Sequence, residues 1–240
     1  MLEIKNLTKI YKNSNKKAVD NLSIKIEDGD IYGFVGPNGA GKSTTIKCIV
    51  GIHDYDEGEI LFNSKDIKKN SLEVKQQLAY IPDNPDLYDM LSGIEYLNFV
   101  ANIYKVGSER NELIHKYAKL FGIENDLANS IKSYSHGMKQ KLALISALIH
   151  SPKMIILDEP FVGLDPKATH DLKELLEELC KNGTSVFFSS HVLEVVEKFC
   201  NKVCIIKNGK VVANGLTSEV KGDETLEDKF MELFEDEQSN

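Results

Sequence analysis

The sequence has no apolar run of about 18 residues, the length that a helix needs to cross a bilayer. It opens, from Met1 to Ile10, on residues of alternating polarity, whereas a secretory signal peptide would open on a basic and then an apolar region. We therefore expect neither a spanning segment nor a signal peptide. If the protein acts at a membrane, we expect a second chain to cross that membrane.

Arginine, and positive charge in general, is scarce. Arg110 is the only arginine, and 29 Lys and Arg face 37 Asp and Glu, which leaves a formal net charge of -8. A mechanism that relies on an arginine finger is nearly excluded, because only one candidate exists. The acidic balance disfavours partners with a phosphate backbone, so we predict no nucleic-acid partner, although a local basic patch stays open.

Cysteine is also scarce, and its spacing matches no paired motif. Cys200 and Cys204 lie close together, but no second pair accompanies them, and Cys48 and Cys180 stand alone. The expected role of all four is that of small buried hydrophobic residues. Since nothing suggests disulfide bonds, we predict a cytoplasmic protein in a reducing compartment.

The apolar residues that are present predict a parallel α/β sheet. They make up 42% of the chain, enough for a sizeable core. Ser23–Ile26 alternates like a half-buried strand, whereas residues 31–35 form the continuous apolar run of a central strand. Residues 154–157 and 186–188 are further buried strands. Strands that alternate with helical segments indicate a parallel sheet.

Three further segments complete the predicted organisation. Residues 83 to about 150 have mostly helical spacing. Near the end, two apolar strands flank Asn208-Gly209, which is a strong hairpin signal. Residues 221–240 form an acidic tail, in which the part from Glu224 onward predicts a short helix with a frayed end.

A glycine-rich loop between an apolar strand and a helix matches the phosphate-binding loop pattern. Its glycines let backbone amides curl around phosphates, and the start of the helix adds a favourable dipole. Lys42 is placed to reach the β- and γ-phosphates, and the Ser43 hydroxyl to ligate Mg²⁺. The predicted nucleotide contacts of this loop are Gly36, Pro37, Asn38, Gly39, Ala40, Gly41, Lys42, Ser43 and Thr44.

Another apolar strand, residues 154–157, ends in two acids, Asp158 and Glu159. Charges at the end of a buried strand need a reason. Asp158 suits a Mg²⁺ ligand that acts through water, and Glu159 suits a base that polarises the attacking water. The alternative is that both acids cap the next element. Together with the loop, the pair predicts a nucleotide hydrolase without saying of which kind.

The kind of hydrolase is indicated by residues 134–141, which read YSHGMKQK and stand just before a long apolar helix. This segment resembles the signature of ATP-binding-cassette (ABC) ATPases, usually LSGGQ. The order and spacing of motifs over residues 1–220 are similar to that family. The further matches are Tyr11 as the aromatic residue on adenine, Gly163-Leu164-Asp165 as the D-loop, and His191 after Ser189-Ser190 as the switch histidine.

Taken one at a time, two of these matches have ordinary explanations. A tyrosine such as Tyr11 is more often a core residue, and a histidine such as His191 is more often incidental.

The resemblance implies a fold: α/β, the P-loop NTPase ABC-ATPase fold, with a RecA-like core, an N-terminal antiparallel β subdomain and an inserted helical subdomain at about 83–150. Residues 1–220 would form the nucleotide-binding domain and residues 221–240 a tail. The implied cofactors are ATP and Mg²⁺. The implied catalytic residues are Lys42, Asp158, Glu159 and His191.

The resemblance also implies partners. An integral-membrane permease would hold this chain as a peripheral subunit on the cytoplasmic face of the cell membrane. Two cassettes, identical or different, would pack head to tail. Ser135 and Gly137 of one would then meet the γ-phosphate of ATP on the other, with Asp165 beside the nucleotide.

Departures from the family pattern are informative. Tyr134 and His136 replace the usual Leu and Gly of the signature. Asp83 follows Tyr80-Ile81-Pro82 where the family has glutamine, and we predict that it serves the nucleotide and metal site or coupling to the permease; the alternative is a solvated loop acid. The variant signature and the segment TLEDKF at 225–230 resemble the bacterial branch that pairs with exporters of drugs, bacteriocins or ions.

Three classes of function are therefore compared. The first is the ATPase subunit of a transporter. The second is a soluble ABC protein in DNA repair, translation or Fe-S assembly, but such proteins usually carry a second cassette, a coiled coil or extra domains. The third is a non-catalytic structural module, against which the intact Lys42, Asp158, Glu159 and His191 argue.

Overall fold

The structure is a computed structural model that describes residues 1–12, 14 and 16–235. The last part of the predicted tail, residues 236–240, lies outside the described residues. None of the described helices is both long and apolar enough to cross a membrane.

Strands and helices follow one another along the chain. The strands are β1 (Leu2–Ile10), β2 (Lys17–Ile26), β3 (Ile31–Val35), β4 (Glu57–Phe62), β5 (Lys65–Asp66), β6 (Leu78–Ile81), β7 (Met154–Asp158), β8 (Ser185–Ser190), β9 (Lys202–Lys207) and β10 (Lys210–Leu216). The helices are α1 (Lys42–Ile49), α2 (Ser71–Lys75), α3 (Gly93–Ile103), α4 (Arg110–Leu120), α5 (His136–Leu148), α6 (Pro166–Lys181), α7 (Leu193–Phe199), α8 (Thr217–Lys221) and α9 (Leu226–Glu235).

One sheet carries the predicted parallel strands. Among the described residues its order is β10-β9-β3-β8-β7-β6, and every neighbouring pair is parallel except β9 with β10. All five residues of β3 are buried, as predicted for a central strand. In a parallel sheet the carboxyl ends of the strands share one edge. The loop after β3 and the acids at the end of β7 therefore face the same edge, with β8 between them.

A second, antiparallel sheet has the order β2-β1-β4-β5 in the part of the chain that is described. Its buried side chains, such as Leu2 and Phe62, share a core with Ile46 and Ile49 of α1 and with Phe34 of β3. Helix α1 is thus held between the two sheets, which fixes the loop that precedes it. The predicted α/β fold with an N-terminal antiparallel part is confirmed.

Between β6 and β7 the chain forms α3, α4 and α5. Helix α3 begins with a capping box, in which the Ser92 hydroxyl accepts from the backbone of Glu95 and the Glu95 carboxylate accepts from the backbone of Ser92. Buried Leu97 and Tyr117 bring α3 and α4 into one core with α5. Residues 83–92, predicted as part of the helical segment, contain no helix.

The predicted hairpin near the end is confirmed, with Asn208 and Gly209 both at positive φ between β9 and β10. Its turn is also a tertiary contact. The Gly209 N–H donates to the Ala40 carbonyl at 2.9 Å, and the Asp20 N–H donates to the Gly209 carbonyl at 2.8 Å. The turn therefore joins β2 to the glycine-rich loop.

The predicted C-terminal helix is α9, which packs beside α7. Its first backbone N–H, at Leu226, donates to the Glu197 carboxylate of α7 at 2.8 Å. All four cysteines are buried free thiols, as predicted.

Candidate active site

The glycine-rich loop between β3 and α1 is closely enclosed by its neighbours. Gly41 has φ 108°, and a Cβ built there would lie 2.4 Å from the Ala18 carbonyl oxygen. A Cβ on Gly36 would lie 2.5 Å from the Ile206 carbonyl oxygen. Contacts this short require glycine at both positions. The loop is therefore pressed between β2 and β9, and α1 begins directly after it.

Lys42 lies over this loop, and its side chain is almost fully buried, with 6% exposed. Its Nζ donates to the Gly36 carbonyl at 2.6 Å and to the Pro37 carbonyl at 3.3 Å. Burial lowers the Lys42 pKa, and the nearby Glu159 and Asp158 charges oppose that shift. The result is a fixed ammonium at the edge of the sheet.

Two neighbouring strands position the acids. Asp158, 5% exposed, ends β7, and its Oδ1 accepts a short hydrogen bond from the Ser189 hydroxyl of β8. Glu159 follows at φ 51°, and its backbone N–H donates to the Ser189 carbonyl and hydroxyl at 3.3 and 3.2 Å. Nδ1 of His191 lies 3.0 Å from Oε2 of Glu159, a distance at which the imidazole N–H donates to the carboxylate.

Ser189 thus bonds to the carboxylate of Asp158 and to the backbone of Glu159. The sequence analysis did not assign this role to it. The signal available in the sequence was its position, directly after the apolar run 186–188 and two residues before His191.

Most of the predicted nucleotide contacts line one cavity of about 640 Å³ at this edge. The predicted residues that line it are Tyr11, Asn38, Gly39, Gly41, Lys42, Ser43, Thr44, Asp83, Asp158 and Glu159. The sequence analysis missed Ala18, Lys47, Tyr80, Pro82 and Asn84 as lining residues. The volume suits a ligand of nucleotide size.

Tyr11 forms one wall of the cavity and remains 39% exposed, so it is not a core residue. Its hydroxyl shares a hydrogen bond of 3.1 Å with Thr44 Oγ1, and the His53 ring meets it edge-on at 5.8 Å. These contacts hold the ring in place while part of its surface stays accessible. Such a ring can receive a flat aromatic base.

The side-chain oxygen atoms in the cavity form a suitable Mg²⁺ site only together with the oxygen atoms of a bound phosphate. Ser43, Asp158 and Asp83 all line it. No cluster of three His, Cys, Asp or Glu residues that could hold a metal occurs in the described residues. Mg²⁺ usually keeps several waters and takes one or two carboxylates plus substrate phosphates. Burial, as the largest cause, and then the charges of Asp158 and Asp83 raise the pKa of Tyr80 to about 12.

The signature segment lies outside this cavity. Ser135 is exposed and caps α5, and its hydroxyl accepts from the Met138 N–H at 3.3 Å. Tyr134 is buried, and its hydroxyl donates to the Asp126 carbonyl at 2.7 Å. The tyrosine in place of the family's leucine therefore belongs to the core, where a Cβ on Gly93 would come within 2.4 Å of its oxygen.

The D-loop match lies beside the signature and also outside the cavity. Asp165 caps α6 by accepting from the Ala168 N–H at 2.8 Å. Its other oxygen pairs with Lys141 of α5 at 2.8 Å, and this hydrogen bond is the largest cause that lowers the Asp165 pKa. A Cβ on Gly137 would lie 2.8 Å from the Gly163 carbonyl oxygen. The predicted site residues therefore form two separate surfaces.

Comparisons with known proteins agree with this geometry. The family model described as ABC transporter matches residues 19–162. The ABC-type transporter ATP-binding protein EcsA of Bacillus subtilis (strain 168) is 36% identical over 243 residues, which covers 99% of this chain and 98% of EcsA. The bacitracin transport ATP-binding protein BcrA of Bacillus licheniformis is 34% identical over 213 residues, 88% of this chain and 68% of BcrA.

Solved structures agree as well. The structure of an ATP binding subunit of an ABC transporter superposes with a TM-score of 0.94 at 32% identity, covering 98% of this chain and 100% of that one. A chain with this fold and this cavity is an ATP-binding cassette. It belongs to the family of ABC transporter ATP-binding proteins, and it is an ATPase subunit of that family.

Proposed function

We propose that this chain powers an exporter. Two cassettes pack head to tail with one ATP at each interface, and an integral-membrane permease binds them on the cytoplasmic face of the membrane. The observation that carries the proposal is a separation: Lys42, Asp158 and Glu159 line one cavity, whereas Ser135 stands at the start of another helix and does not line it. A second cassette supplies what the cavity lacks.

Within one copy the chemistry is the hydrolysis of ATP. Lys42 and the amides at the start of α1 bind the β- and γ-phosphates. Glu159 polarises the attacking water. His191 lies 3.0 Å from the Glu159 carboxylate and orients this carboxylate. Ser43 and Asp158, with Asp83 nearby, would hold Mg²⁺, which supplies positive charge to the phosphates when bound.

Across the interface the γ-phosphate joins the two copies. It gains the Ser135 hydroxyl and the amides at the start of α5, a helix of 13 residues. Hydrogen bonds to a charged group contribute about 1.5–3 kcal/mol each. Two such sites move a monomer–dimer equilibrium by several orders of magnitude, because about 1.4 kcal/mol is tenfold. Hydrolysis removes the contact and lets the pair open.

The permease is proposed from a surface and from the relatives. A groove of about 480 Å³ lies beside Tyr80 and Asp86, and its wall includes the exposed side chains of Tyr88, Phe99 and Ile103. Large exposed apolar groups of this kind support a protein partner. BcrA is named for bacitracin transport and EcsA as an ABC-type transporter, and this supports a transporter rather than a role in DNA repair, translation or Fe-S assembly.

The test keeps the dimer of two cassettes together by blocking ATP hydrolysis. Glu159→Gln keeps the shape of the side chain but removes the base, so at saturating Mg-ATP the variant should elute as a dimer in size-exclusion chromatography. Adding Ser135→Arg should abolish the dimer, because its bulk and charge fill the γ-phosphate contact. Glu177→Gln, an exposed glutamate on α6, is the matched control and should behave as the wild type.

Two results would contradict the proposal. One is a Glu159→Gln protein that stays monomeric alone and shows a single cassette when bound to its permease. The other is a set of pull-downs that recover DNA or ribosomes and never a polytopic membrane protein.

A further inference from the structure

The first turn of α5 contacts the segment that follows Glu159. A Cβ on Gly163, where φ is +81°, would lie 2.6 Å from Cδ2 and 2.8 Å from Nε2 of His136. The His136 ring therefore lies directly against the Gly163 backbone and leaves no room for a side chain there. Lys141 of α5 also contacts this segment. It forms an ion pair of 2.8 Å with Asp165, two residues after Gly163.

Gly163 is only a short step from the proposed base. The Val162 N–H donates to the Glu159 carbonyl at 3.2 Å, which closes a turn over residues 159–162. Glu159 itself has φ 51°, a conformation that non-glycine residues rarely adopt and that its surroundings must hold. Gly163 directly follows this turn, so its backbone is joined to the hydrogen-bonded segment that begins at Glu159.

We propose that His136 is a positioning residue: its ring holds Gly163 and, through the 159–162 turn, sets where the Glu159 carboxylate of its own copy stands. The inference rests on the proposed pair of cassettes, in which the first turn of α5 meets the ATP held by the other copy. His136 then links the two sites, because contact with one ATP affects the base that acts on the other.

The decisive experiment uses mixed pairs of full-length copies that carry different affinity tags. One copy has Glu159→Gln, so it binds ATP and forms the interface while all hydrolysis comes from the Glu159 of the other copy. His136→Ala is placed either in the copy that keeps Glu159 or in the Glu159→Gln copy. In the first arrangement we expect kcat to fall several-fold with KM for ATP unchanged, because the cavity residues are intact. The second arrangement should show the smaller loss.

The opposite order would overturn the proposal, since a larger loss in the second arrangement means that His136 contacts the ATP of the other copy directly. Equal losses would overturn it too, because they indicate a general weakening of the interface. His136→Phe keeps a flat ring against Gly163 and should restore kcat in the first arrangement. A Phe variant as slow as the Ala variant would contradict positioning by packing.

A second measurement needs neither ATP nor a dimer. Hydrogen exchange, followed by mass spectrometry on the nucleotide-free protein, should be faster in peptides covering residues 159–165 in His136→Ala than in the wild type or His136→Phe. The turn at Gly183, which has nothing within 4 Å of a built Cβ, should not change. Unchanged exchange at 159–165 would overturn the inference. Failure of Glu159→Gln copies to pair would instead count against the proposed function.

Discussion

The nucleotide cavity and the first turn of α5 hold their polar groups in opposite ways. In the cavity, Lys42 and Asp158 are buried and already bonded to the loop carbonyls and to Ser189. At the start of α5, Ser135 and His136 are exposed. Preorganised groups stabilise a transition state without having to reorganise, whereas exposed groups gain most when a second surface excludes water from them. On the proposed function, the cavity thus holds the preorganised groups of one copy, and the α5 surface of the other copy supplies the contacts that this cavity lacks.

The largest effect is expected from the cavity. Lys42→Ala removes the fixed ammonium and should lower Mg-ATP turnover by about 100-fold or more, the scale for loss of a preorganised charge-stabilising group. Phosphate release by the purified variant measures it. Lys167→Ala, an exposed lysine at the start of α6, is the matched control. An unchanged rate in contaminant-free Lys42→Ala protein would refute the assignment of the cavity.

A smaller effect is expected from the α5 surface. On the proposed function, Ser135→Ala removes one contact to the γ-phosphate and should lower turnover about tenfold, since such a bond contributes about 1.5–3 kcal/mol. Binding of a fluorescent ATP analogue to the single copy should be unaffected. Ser92→Ala is the control, because it also removes a serine cap, that of α3. Equal turnover losses in the two variants would mean that helix capping alone explains Ser135.

Asp83 lines the cavity near Tyr80, which also lines the groove. We expect Asp83→Ala to lower turnover or transport by a few-fold. If it serves the metal, Asp83→Ala should raise the Mg²⁺ concentration needed for half-maximal turnover. If it couples the cassette to the permease, transport should fall while ATPase activity is retained. Asp83→Asn is the control that keeps an oxygen but removes the charge. Normal values for turnover and transport in Asp83→Ala would favour a solvated loop acid.

The smallest functional effect is expected at Tyr134, inside the signature but within the core. Tyr134→Phe removes the hydrogen bond to the Asp126 carbonyl and should lower the free energy of unfolding by about 0.5–1.5 kcal/mol. Urea unfolding measures this change. Turnover should remain at the wild-type level. A large loss of turnover with unchanged stability would place Tyr134 among the contacts of the interface.

The sequence was informative wherever chemistry is local along the chain. The glycine-rich loop, the acids at the end of a strand and the hairpin at Asn208-Gly209 each carry their own signal, and the structure has the predicted strands, turn and helix at these places. Strand β4, in contrast, was missed, because its residues 57–59 are two glutamates around a glycine and hide the alternation. Residues 83–92 were predicted to be mostly helical, but Pro85 disfavours a helix before the Ser92 cap.

What the sequence could not supply is the meeting of distant segments. Ser189 bonds to Asp158 only because β8 lies between β3 and β7 in the sheet, an order that no local pattern encodes. The contact of His136 with Gly163 likewise depends on how α5 and the turn after Glu159 approach each other. The groove beside Tyr80 has the same origin, since its wall combines Tyr80 of β6 with residues from both ends of the predicted helical segment, such as Asp86 and His150.

The turn at Asn208-Gly209 has a practical consequence for engineering. Exposed hairpin turns are usually the first choice for inserting a peptide tag or a fluorescent domain. Here the turn bonds to Ala40 of the glycine-rich loop and to Asp20, so an insertion would separate the loop from its support. The turn at Gly183 is the better place for such a probe, because it is exposed and a built Cβ there meets no neighbouring atom within 4 Å.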